Sequence, residues 1–124
     1  MNRKSYVILF LATILFFANN CFAACEQGCK LEISCEFRGS KMTIYPCIPA
    51  ESTVKIKTSN GGKTYSGLDL YQNEGTITVP EHFQFVAQNE SDTLILKVRV
   101  IDIATNSEIY SDEAGQYGMV AASN

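Results

Sequence analysis

The side chains best able to do covalent or acid–base chemistry in this 124-residue chain are five cysteines and a single histidine. Three cysteines crowd into Cys21–Cys29 (CFAACEQGC), and Cys35 and Cys47 follow. Thiols can act as nucleophiles, metal ligands, disulfide partners or lipid acceptors, and the compartment decides among these roles. A Cys–His or Ser–His–Asp arrangement would have to recruit His82, which follows Pro80-Glu81 where a strand is expected to begin. A lone histidine there reads as a surface residue. Cys25-x3-Cys29 with Cys35 and Cys47 could supply four thiolates, but the paired C-x2-C spacing of zinc ribbons is absent.

Other chemistry is marked more faintly. Asp102, Asn106, Asp112 and Glu113 gather around an expected hairpin, where oxygen ligands can bind calcium. Their spacing matches no calcium loop, so they read as solvated loop acids. Asn60-Gly61-Gly62-Lys63 is a hairpin turn with no helix after it, not a phosphate-binding loop. Asn89-Glu90-Ser91 has the form of a glycosylation sequon and reads as an ordinary turn. Tyr45, Tyr65, Tyr71, Tyr110 and Tyr117 offer a contact patch, or else cap a core with their hydroxyls outward. No residue is assigned to catalysis, to a cofactor or to a metal, and the chain is expected not to be an enzyme.

The compartment comes from the N-terminus. Arg3 and Lys4 precede the apolar run Tyr6–Phe17 (YVILFLATILFF), which falls short of the roughly 20 residues of a membrane-spanning helix. Cys21-Phe22-Ala23 places small residues at the −3 and −1 positions of a cleavage after Ala23. Residues 1–23 are thus expected to be a signal peptide and 24–124 the mature domain. Loss of Arg3 and Lys4 leaves eight basic residues against thirteen acidic, which disfavours nucleic acid and anionic membrane surfaces as partners. Cys21 would depart with the leader, leaving Cys25, Cys29, Cys35 and Cys47, an even set in an oxidising compartment. The alternative is acylation of Cys25, because Phe22-Ala23-Ala24-Cys25 resembles a lipobox. That would tether the protein at the outer membrane and strand one thiol. Parity therefore favours disulfides. Three pairings are open, with a preference for Cys29–Cys47 and Cys25–Cys35.

The elements that must carry these residues follow a period of two. Ile33, Cys35 and Phe37 alternate with polar neighbours, and the turn Arg38–Lys41 sets Phe37 opposite Met42 and Cys35 opposite Ile44. Further strands are expected at 53–58, 64–71, 75–79, 82–88, 93–103, 108–111 and 117–121. Val54 and Ile56 point inward with two lysines outward, and the switch of face at Ile101 and Ile103 predicts a bulge or a strand crossing between sheets. The pattern reads as an all-β sandwich or barrel, and the expected fold is a small antiparallel β-sandwich of about seven to nine strands, immunoglobulin-like in architecture and stapled by disulfides near its N-terminus.

Ile48–Lys57 (IPAESTVKIK) resembles the proline-led, alternating-valine segment of the YbaY/YscW lipoproteins, and Thr93–Ser111 resembles their last hairpin. That resemblance implies a small extracytoplasmic β-sandwich, and for the YscW branch a pilotin that guides secretin assembly. Together these readings predict a secreted or periplasmic protein that binds another protein, as an assembly factor, inhibitor or immunity-type protein. A structural or adhesive surface subunit is the alternative, and a pilotin-like lipoprotein is another if Cys25 is acylated.

Overall fold

The computed structural model describes residues 21–39, 43–44 and 52–124. The expected leader run Tyr6–Phe17, together with Met42, Tyr45 and Cys47, lies outside the described residues.

The longest alternating segments pair first. β1 (Cys29–Phe37) and β7 (Leu94–Asp102) run antiparallel from Cys29↔Asp102 to Phe37↔Leu94. The other edge of β1 is shared. β5 (Thr76–Val79) pairs with its first half, Cys29↔Val79 to Glu32↔Thr76, and β2 (Thr43–Ile44) with its second, including Cys35↔Ile44. β8 (Ser107–Ala114) closes this sheet on the far side of β7, giving the order β2-β1-β7-β8. The second sheet has the order β4-β3-β6-β9, from β3 (Ser52–Thr58), β4 (Gly61–Tyr65), β6 (Gln84–Asn89) and β9 (Met119–Ser123). Two antiparallel sheets facing each other make the expected β-sandwich.

Alternation places the core. Cys29, Leu31, Ile33 and Cys35 of β1 and Leu94, Leu96, Val98 and Val100 of β7 are buried from one sheet. Val54, Ile56, Phe85, Ala87, Val120 and Ala122 meet them from the other. The expected bulge lies between Val100 and Ile101, so both of these neighbours are buried.

Two local expectations need correction. Residues 64–71 do not form a strand: β4 stops at Tyr65 and a short helix, α1 (Gly67–Gln72), follows. Ser66 caps it, with Asp69 N–H donating to Ser66 Oγ at 3.2 Å and Ser66 N–H donating to Asp69 Oδ2 at 2.9 Å. This reciprocal pair satisfies donors that a helix start otherwise leaves open, and Leu70 anchors the turn in the core. The backbone hydrogen bond holds the Asp69 carboxyl below its ordinary value.

The preferred cysteine pairing is also overturned. Cys25 bonds to Cys29, across a turn in which Gly28 N–H donates to the Cys25 carbonyl at 2.9 Å. Gly28 sits at φ +89°, a backbone conformation costly for residues with a Cβ, and the turn brings the two cysteine Cα atoms to 5.5 Å. With Cys29 thus taken, neither Cys29–Cys47 nor Cys25–Cys35 forms. Cys35 is itself in a disulfide, and Cys21 stands exposed as a thiol.

Candidate functional site

Among the described residues, those singled out for chemistry do not assemble into a catalytic constellation. His82 is exposed, with Nε2 3.7 Å from its neighbour Glu81. Asp102 accepts from Ala104 N–H at 3.0 Å and Asn106 N–H donates to the Asp102 carbonyl at 2.7 Å, so both build the β7–β8 turn. Asp112 instead accepts from Tyr110 Oη at 3.4 Å and from Glu113 N–H at 2.8 Å. Among the described residues, no three of His, Cys, Asp and Glu come together as metal ligands. A sulfur bonded within the Cys25–Cys29 disulfide is available neither to zinc nor to a lipid.

The sequon residue Asn89 has a structural task. Fully buried, it donates through Nδ2 to the carbonyls of Leu94, Ala114 and Gly115 at 2.8, 3.1 and 2.9 Å, and accepts from Ser91 N–H at 2.9 Å. It pins the β6–β7 connection to the β8–β9 connection.

The tyrosines divide. Tyr65 and Tyr110 pack against the core as partly buried side chains, with Lys63 Nζ 4.7 Å above the Tyr65 ring. Tyr71, on α1, and Tyr117, at φ +54° beside β9, are more than half exposed on separate elements. Tyr45 lies outside the described residues.

The outer faces of the two sheets differ in chemistry. On the β1–β7–β8 face, charges meet across strands: Lys97 Nζ reaches Glu36 at 2.8 Å, and Arg99 bridges Glu32 at 2.7 Å and Glu108 at 2.6 Å. Lys30 adds to Glu32 at 3.6 Å. The hydrogen bond to Glu36 raises the Lys97 ammonium above its ordinary value. Exposed pairs of this kind contribute about 0–1 kcal/mol each, so their main effect is to neutralise the face.

On the other sheet, register fixes which side chains share the outer surface, because directly paired residues point the same way. Thr64, Lys55, Val86 and Ala121 form one row across the strands, and Gly62, Lys57, Gln84 and Ser123 form the next. Thr53, Gln88 and Met119 form a third. None of the three rows contains a carboxylate, and among the described residues Lys55 and Lys57 make no ion pair. The first two rows line a groove of about 480 Å³, together with Lys63 and with Ile56, Phe85 and Ala122 between them. The opposite face has a depression of about 500 Å³, so volume does not distinguish the two. The lining does, since that depression is walled by the paired ions Glu32, Lys97, Arg99 and Glu108.

The outward lysines of TVKIKT were legible in the sequence. The absence of opposing carboxylates was not, because it depends on which strands lie beside β3. No family model, curated protein or solved structure matches the chain.

Proposed function

We propose that this is an exported, non-enzymatic β-sandwich that binds another protein in the bacterial envelope or outside the cell, through the outer face of β4-β3-β6-β9. The observation that carries the reading is the pair Lys55 and Lys57, which make no ion pair among the described residues and line a groove bordered by two strand rows that hold no carboxylate. A docking partner would not have to break existing ion pairs there, as it would on the opposite sheet, where desolvating Glu36–Lys97 and Glu32–Arg99 opposes association. The chemistry fits a partner with acidic groups flanking small apolar side chains. Export is supported by the leader-like N-terminus and by the Cys25–Cys29 disulfide, which suits an oxidising compartment. The pilotin-like alternative requires a lipid on Cys25, and the Cys25–Cys29 bond favours the unlipidated reading.

The test is co-purification of the exported protein with its partner, comparing the wild type with Lys55→Glu/Lys57→Glu. Loss of the partner from the double variant, with unchanged folding by circular dichroism, supports the reading. Equal recovery from both proteins contradicts it.

A further inference from the structure

Phe22 lies within the segment expected to be cut away, yet it is packed against the domain. Its ring centroid is 5.5 Å from that of Phe83 and 5.4 Å from that of Tyr110. Its N–H donates to the Ser123 carbonyl at 3.1 Å, and Cys21 forms a parallel bridge with Ser123. Residues 21–22 thus act as one rung of an added strand beside the end of β9, with an aromatic anchor. The adjoining Ala23 and Ala24 are exposed, whereas Cys25 is buried and tied to Cys29. Cleavage after Ala23 therefore separates the disulfide-tied Cys25 side from the side that carries the Phe22 ring and the pairing with Ser123.

The Phe83 wall of the slot is held by contacts that do not involve Phe22. Asn124 Oδ1 accepts from Phe83 N–H at 2.9 Å, Asn124 N–H donates to the Phe83 carbonyl at 3.3 Å, and Asn124 Nδ2 donates to the Glu81 carbonyl at 2.7 Å. Phe83 also stacks on Phe85, with centroids 6.1 Å apart. We propose that leader removal vacates this slot between Phe83 and Tyr110, and that the mature protein fills it with a phenylalanine-bearing extended segment of a protein partner, paired parallel to the end of β9. The inference rests on the export reading and on cleavage after Ala23. Its occupant is defined by the chain's own segment, which shows the ring and backbone direction that fit.

The test uses the protein purified after export. Intact mass should begin at Ala24, and a mass retaining Phe22 overturns the proposal because the slot would remain filled. The exported protein is then titrated with the peptide Asn-Asn-Ser-Phe-Ala, which matches residues 19–23 with serine at 21, and followed by amide NMR. Saturable shifts at Tyr110 and Ser123 are expected, with binding weakened about tenfold or more when the peptide's Phe is replaced by Ala. Absent saturation, or equal affinity of the two peptides, overturns it. The titration is repeated on Lys55→Glu/Lys57→Glu, where unchanged peptide affinity is expected. Loss there would place the peptide in the lysine groove and refute the slot. Failure of the slot leaves the co-purification result untouched, so the two readings fall separately.

Discussion

Lys97 Nζ lies 2.8 Å from Glu36 Oε2 across the β1–β7 pair, while Lys55, on the outer face of the other sheet, has Thr64 and Val86 as its cross-strand neighbours. One lysine has its counter-ion within the domain. The other has none. Stability should therefore be indifferent to Lys55 and Lys57: the double glutamate variant is expected to unfold within about 0.5 kcal/mol of the wild type in urea. A larger loss would mean that these lysines support the fold rather than a contact.

Gly62 gives a second handle on the same face. A Cβ built there meets only the Ile56 carbonyl oxygen, at 3.6 Å, an ordinary contact. Gly62→Ile should fold normally and raise the melting temperature slightly, since β-branched residues favour strands, while occupying the groove. Partner recovery is expected to fall at least tenfold, read by quantitative co-purification. Full recovery would show that the groove is not used.

Asn89 is the most consequential polar residue for folding. Replacement by Asp puts a carboxylate oxygen where Nδ2 donated to the carbonyls of Leu94, Ala114 and Gly115. A loss of about 3 kcal/mol or more is expected from unsatisfied buried groups, measured by chemical denaturation. Little change would mean that the two connections are held by other contacts.

The disulfides give a mass and a stability prediction. The Cys25–Cys29 ring is small, so reducing it should cost only about 2 kcal/mol on a chain-entropy estimate. Cys35 is also in a disulfide. Peptide mapping without reduction should recover that linkage. Gly28→Ala should destabilise the turn beyond disulfide loss alone, because its Cβ would sit 2.6 Å from the Val79 carbonyl oxygen at a positive φ.

Tyr110 sets an alkaline limit. Burial, reinforced by the Asp112 carboxylate, pushes its phenol up to about 12. An acid whose folded value is raised contributes stability that is intact below the unfolded value of about 10 and is lost as pH climbs toward about 12. In the uncleaved chain, which keeps Phe22, the melting temperature should decline across that window, and Tyr110→Phe should decline less. Removing Phe22, which packs on the ring, should move the phenol back toward its ordinary value, visible in ultraviolet titration.

The parts of the fold legible in the sequence were those fixed by local alternation. The register Cys35↔Ile44 followed from one turn and two apolar faces, and the bulge at Val100/Ile101 from a change of phase within a single strand. What escaped depended on a few backbone angles or on distant neighbours. α1 is too short for a helical period, and its only signal is the Ser66…Asp69 capping pair. The Cys25–Cys29 bond turns on Gly28 entering a left-handed conformation. The candidate face needed β3 to be flanked by β4 and β6, neither of which brings an outward carboxylate, and no single strand displays that.

The central claim is tested most directly by placing a photo-crosslinking residue in the exported protein at Gln84, and separately at Ser34 on the opposite sheet. Crosslinking in intact cells should yield one discrete adduct from Gln84, none from Ser34, and loss of the Gln84 adduct when Lys55 and Lys57 are changed to glutamate. An adduct from Ser34 instead, or a Gln84 adduct indifferent to the two lysines, would contradict the account.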